Sequence, residues 1–195
     1  MPSRSPTFTM LTALLLQAVA CTPARSEPPH GAQVPGLEPA FRLSRRQGSA
    51  PGVSDAPPGT QLAQRQLTQQ APPTLQEELF TRASALPDVE VAPSLVSVPG
   101  ARAFVLRPEA ARGPREAFQA GTEFAHIHPA DDGSLHMKLP PALAEQVYQE
   151  GWGVPHPRSG TPLVYGPRDP AELEVVWQLL LRSHAWARGA PGAQL

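Results

Sequence analysis

From Thr122 onward the chain alternates between apolar and polar positions with the period of a strand. Ala125 and Ile127 fall on one face, and Phe124, His126 and His128 on the other. After Pro129-Ala130-Asp131-Asp132-Gly133, the alternation resumes with Leu135, Met137 and Leu139 against Ser134, His136 and Lys138. The intervening residues are turn formers. A five-residue loop pairs His128 with Ser134 and His126 with His136, which keeps both apolar sets on one side. A two-residue Asp132-Gly133 turn would put the two strands out of parity. The pattern therefore predicts a hairpin with one apolar face and one face carrying three imidazoles.

Around this hairpin the pattern gives further elements. Thr74 opens a helix, with Glu77 completing a capping box and Leu75, Leu79 and Phe80 as its stripe. Val89 to Val98 and Ala101 to Leu106 read as strands joined at Pro99-Gly100. Pro140-Pro141 leads into a helix from Ala142 to Glu150 that Gly151 caps. Leu163 to Tyr165 is a short strand. Asp169, Pro170 and Glu172 start a last helix with Leu173, Val176, Trp177, Leu180 and His184 at helical spacing. The order predicts an α+β fold. It is a mostly antiparallel sheet of four to five strands, with helices on one face and the histidines on the other.

Composition divides the rest of the chain. Of 195 residues, 26 are proline, too many for one compact domain from end to end. Residues 1–20 carry Arg4, a short apolar run from Phe8 to Val19, and Ala18-Val19-Ala20 before Cys21. The run is shorter than the ~20 residues of a spanning helix, and the pattern predicts an export signal. The lone cysteine excludes a disulfide within the chain. Its position resembles a bacterial lipobox, with Ala18 where that motif usually has Leu, and predicts lipidation at Cys21 and a membrane-anchored place in the cell envelope. Ordinary cleavage and secretion is the alternative. Residues 21–73 are rich in Pro, Gly, Ala, Gln and Ser, and read as a disordered tether. Residues 74–188 are the expected domain, and 189–195 a disordered tail. A net charge of -1 with no basic stripe argues against a nucleic-acid partner. Oligomeric state is not legible.

Candidate chemistry gathers where four of the six histidines lie, between Thr122 and His156. His126, His128 and His136 have two readings. As a divalent metal site, His-x-His on one strand and a third His on its neighbour could converge on an ion, although the glutamate that cupins usually add after the pair is absent. As acid–base groups, clustered imidazoles move one another's pKa values. His156 follows the rigid Gly151-Trp152-Gly153 loop. Trp152 is a candidate wall for a planar ligand. Tyr165 and Arg168 precede the last helix, and Arg168 is suited to an enolate or carboxylate. His184 reads as structural. Ser134 lacks the Gly-x-Ser-x-Gly setting of a hydrolase nucleophile, and no phosphate-binding or dinucleotide glycine motif is present.

These pieces together resemble the luciferase-like domain of fungal luciferase and of many bacterial proteins. They are AHIH at Ala125 to His128, SLHMKL at Ser134 to Leu139, GWG and HP within Gly151 to Pro157, and VYGPRDPAELEVV at Val164 to Val176. The resemblance covers Gly121 to Trp186. It implies a site lined by His126, His128, His136 and His156. It also implies oxidation of an enolisable molecule by O₂ with no cofactor, as fungal luciferase oxidises a 3-hydroxy-α-pyrone. A fungal N-terminal membrane helix has no counterpart in this reading. A non-catalytic small-molecule-binding or metal-binding envelope module is the alternative.

Overall fold

A computed structural model describes residues 41–54 and 64–191. The expected signal segment and Cys21 lie outside the described residues. Three helices and six strands follow one another as α1 (Pro73–Ser84), β1 (Val89–Pro93), β2 (Arg102–Leu106), β3 (Glu123–Ile127), β4 (Leu135–Met137), α2 (Pro141–Gln149), β5 (Gly153–Pro155), β6 (Pro162–Val164) and α3 (Pro170–Ala187). The strands form one sheet in the order β1-β2-β3-β4-β6-β5, antiparallel at every junction. The α+β class holds, with more strands than the pattern suggested. The additional one is β5, where Gly153-Val154-Pro155 pairs with Val164-Leu163-Pro162. Only three residues long and ending in Pro155, it carries too little alternation to be read from sequence.

All three helices cover one face. Leu79 and Ala83 of α1, Leu143 and Val147 of α2, and Leu173, Val176, Leu180 and Ala185 of α3 share a core with Phe104, Ala125, Ile127, Leu135 and Met137. The apolar parity of the hairpin is therefore what binds the helices. Full burial of each such side chain is worth about 1.5–3 kcal/mol. His184 is fully buried on α3, donates its Nε2–H to the Pro87 carbonyl at 2.9 Å, and packs on Phe124.

Helix starts follow their signals unevenly. Asp169 caps α3 through its carboxylate and the Glu172 amide at 2.9 Å. The Glu172 carboxylate reaches back one residue further than expected, to the Arg168 amide. At α1 the expected capping box does not form. Pro72 occupies the cap position, Thr74 lies inside the helix, and Glu77 is drawn to Arg102 at 2.7 Å. Gly151 ends α2 with φ +75°, while Trp152 N–H returns to the Val147 carbonyl.

The packed domain also extends N-terminal to Thr74. Leu43 joins the core, the Trp152 indole donates to the Ser44 carbonyl, and Arg46 Nε lies 3.4 Å from buried Glu172. Further on, Gln66 is 1% exposed, and its side chain accepts from Gly166 N–H and donates to the Thr68 and Gln69 carbonyls. The arm is polar and aperiodic because backbone and amide hydrogen bonds hold it, not an apolar stripe.

Candidate functional site

The histidine face begins with a break in strand parity. In the β2–β3 ladder Phe104 pairs with Ala125 but Val105 pairs with Glu123, so Phe124 is an extra residue. The bulge turns Phe124 into the core, 6.4 Å from the Phe104 ring, and corrects its expected place beside the histidines. It also delivers Glu123 to the histidine face, where its Oε1 lies 2.7 Å from His126 Nδ1. Strict alternation would have put these residues on opposite faces.

On β4 the expected register is observed. His126 pairs with His136, and His128 N–H bonds the Ser134 carbonyl at 2.9 Å. The three rings form a nearly equilateral triangle with centroids 5.2–5.3 Å apart. His156 extends the group, with its ring 5.4 Å from that of His136. The histidine face of the sheet is covered, and His126, His128 and His136 are 1%, 1% and 5% exposed.

Each imidazole is fixed by a partner on its outer side. The loop residue Asp132 is fully buried and accepts from His128 Nδ1 at 2.7 Å. The same carboxylate accepts from Ser134 Oγ and N–H and from Gln66 N–H. Burial alone would raise the Asp132 carboxyl. The hydrogen bonds from His128 and Ser134 overcome it, so Asp132 sits below the usual carboxylate range. An ionised Asp132 fixes the proton of His128 on Nδ1 and leaves a lone pair on Nε2. When ionised, Glu123 plays the same part for His126, supported by Ser94 Oγ at 3.0 Å. Burial pushes Glu123 up to about 7, against the opposing hydrogen bond from Ser94. The Pro162 backbone bonds the His136 ring.

The inner nitrogens have no such partners. His126 Nε2, His128 Nε2 and His136 Nδ1 are buried with no hydrogen bond. One nitrogen from each ring lies within 4.8 Å of the others. Leaving a buried polar atom unpaired costs about 1–3 kcal/mol, and here three are gathered in one place. Burial keeps His126 and His136 neutral. It drives His126 down to about 3, with neighbouring His128 adding to the effect, and holds His136 well below its ordinary value. Neutral imidazoles with inward lone pairs can accept protons or ligate a cation.

A pocket of about 800 Å³ opens onto this cluster. His126, His136 and His156 contribute to its wall, with Lys138, Gln119 and Thr161. The β1–β2 loop forms an apolar lip in which Leu95 is 83% and Val96 53% exposed. Burial lowers Lys138, helped by Arg115, and its ammonium holds Thr161 Oγ1 at 3.2 Å. His156 Nδ1 accepts from the Arg158 and Ser159 amides, which leaves the proton of the neutral ring on Nε2.

The other expected ligand groups lie elsewhere. Trp152 is buried in the core beneath the helices, because its indole packs inward and donates to Ser44. Tyr165 is buried under Arg46, 5.4 Å from guanidinium to ring centre. Arg168 is committed to Glu172, Gln69 Oε1 and the Gln47 carbonyl. None of the three lines the pocket. The residues that sequence reasoning missed are Glu123, Asp132, Ser94 and Lys138. Only Lys138 had a sequence signal, as the cation on the histidine face next to His136.

Against this geometry the comparisons with known proteins agree in one place. The luciferase domain family matches residues 121–183, which run from β3 into α3 and include all four site histidines. Over these residues the chain is similar to a luciferase domain. A luciferase of Armillaria mellea is 30% identical over 81 residues, covering 37% of this chain and 30% of that protein. A luciferase of Armillaria gallica is 31% identical over 78 residues, covering 35% and 29%. The chain thus spans less than a third of the length of these relatives. No solved structure matches.

Proposed function

We propose that the luciferase-like domain is an oxygenase-type oxidoreductase acting without light emission on a small enolisable or phenolic molecule. The observation that supports it best is the meeting of three buried imidazoles with a pocket that has an apolar lip and polar walls. Such a pocket suits a flat, partly apolar molecule whose one acidic hydroxyl reaches the histidines. The relatives named luciferases make an oxidation by O₂ the reaction to test first.

In this reading the enol O–H gives its proton to His126 as the Nδ1 proton of the same ring passes to Glu123, whose carboxyl is raised to about 7. Lys138 and the His156 Nε2–H offset the charge on the enolate oxygen. The electron-rich carbon gives two electrons to O₂ and forms a C–O bond. The proton returns to the outer oxygen, giving a ketone that carries a hydroperoxide. Oxygen is the oxidant and the substrate carbon is oxidised, so no further reductant is needed.

The test is oxygen consumption by the chain from Phe41 with a panel of hydroxypyrones and catechols. Uptake that falls at least about tenfold in Lys138→Met, with folding retained, is expected. No uptake and no binding by any panel member would sink the proposal.

A further inference from the structure

We propose that His126, His128 and His136 form a three-histidine site for a divalent first-row transition metal, with one coordination position open to the pocket. Glu123 and Asp132 are its orienting carboxylates. The inference deepens the reading above. A metal there would polarise the substrate oxygen in place of a bare imidazole, but its existence rests on geometry alone.

Four observations carry it. First, the three nitrogens without hydrogen bonds belong to three different rings, one on β3, one just past its end and one on β4, all nine-tenths or more buried. Second, one nitrogen of each ring lies within 4.8 Å of one nitrogen of each of the others. Metal–nitrogen bonds of about 2.1 Å in a tetrahedron set nitrogen separations of about 3.4 Å, so the rings close by roughly an ångström through side-chain rotation. Third, the outer nitrogens of His126 and His128 are each held by a carboxylate at 2.7 Å. That arrangement fixes the tautomer whose inner nitrogen can bind a metal and raises its basicity. Fourth, the pocket reaches His126 and His136, while His128 lies behind them. A fourth ligand would therefore enter from the pocket side.

The donor set also limits the ion. Three imidazoles with no carboxylate or thiolate in the inner set suit Zn, Fe, Co or Cu rather than Mg or Ca. The glutamate that followed the histidine pair in the cupin comparison is not needed here. Glu123 precedes the pair and serves from outside.

The experiment uses the chain from Phe41, purified without an affinity tag that binds metal. Metal content is measured as purified, and Zn²⁺ and Co²⁺ are titrated into metal-stripped protein by calorimetry and visible absorption. The expected result is one ion per chain with sub-micromolar Kd, and Co²⁺ bands characteristic of a four-coordinate site. His128→Ala should abolish both, whereas His156→Ala should leave the Kd within about threefold. Glu123→Gln should weaken binding by about 10- to 100-fold while the Co²⁺ spectrum persists. Should His128→Ala fail to fold, His136→Gln and a metal-induced rise in wild-type Tm supply the same reading. Binding weaker than about 10 μM, a stoichiometry other than one, or binding unchanged in the histidine variants overturns the site. Oxygen uptake that survives chelation in metal-free protein overturns the metal's part in the oxidation and upholds the oxygenase. Tight metal binding with no oxygen uptake upholds the site and counts against the oxygenase.

Discussion

Glu123 and His126 are three residues apart on one strand, and their side chains meet at 2.7 Å on the same face. The bulge at Phe124 makes this pairing, and Ser94 from the β1–β2 loop completes it by donating to both Glu123 oxygens at 3.0 and 3.3 Å. The hydrogen bond from Ser94 lowers the Glu123 carboxyl, so Ser94→Ala should raise its pKa above the wild-type value of about 7. Carbon-13 NMR of the side-chain carboxyl across a pH titration measures this. The folded value lies above the ordinary 4.5. This group's contribution to stability is thus present below pH 4.5 and lost as pH rises through about 7.

His184 gives the opposite sign. Burial draws it down to about 4 from 6.5, opposed by its bond to the Pro87 backbone. Its contribution is present above pH 6.5 and lost as pH falls towards 4, a change on the order of 3 kcal/mol. A His184→Gln variant should show a flatter loss of stability over that window in urea unfolding, whatever its stability at neutral pH.

The N-terminal arm is expected to be part of the domain. The Arg46 side chain is 2% exposed and pairs with Glu172. Removing one partner of a buried ion pair costs about 3–5 kcal/mol. A chain beginning at Thr74 should therefore melt well below one beginning at Phe41, and Arg46→Met should fall between them. Equal melting temperatures would show that the arm is dispensable.

Leu95 is the test of the pocket lip. It is largely exposed, so Leu95→Ser should change stability by no more than about 0.5 kcal/mol. If the lip holds the apolar part of a substrate, KM for an active hydroxypyrone or catechol should rise several-fold with kcat little changed. An unchanged KM would remove the lip from the site.

Lipidation is tested at Cys21. A palmitate analogue supplied to the host should label the wild-type protein and not Cys21→Ser. A wild-type protein that takes up no label would not be a lipoprotein.

Much of this architecture was legible because alternation is a strong signal where one face meets helices. Leu135, Met137, Ala125 and Ile127 specified the core side, and the five-residue turn set His126 opposite His136. The remainder depended on features that local pattern does not encode. A one-residue bulge exchanged Phe124 and Glu123 between faces. Asp132 read as a turn former, although its carboxylate is the partner of His128. Trp152 and Arg168 had the right chemistry for a ligand, but a backbone carbonyl and Glu172 claimed them. The packing of 41–54 and 64–72 was hidden because single amides such as Gln66 leave no periodic trace.

Asp132 receives His128 from its own hairpin and the Gln66 amide from 66 residues earlier in the chain. Arm and hairpin therefore share one carboxylate. As the polypeptide emerges from the ribosome the arm comes first, and it has no Asp132 to dock on until the hairpin has been made. That long-range closure makes the completed site a late event in folding. A protease that nicks the arm after assembly would loosen Asp132 and with it the orientation of His128, so integrity at Gln66 is reported directly at the histidine cluster.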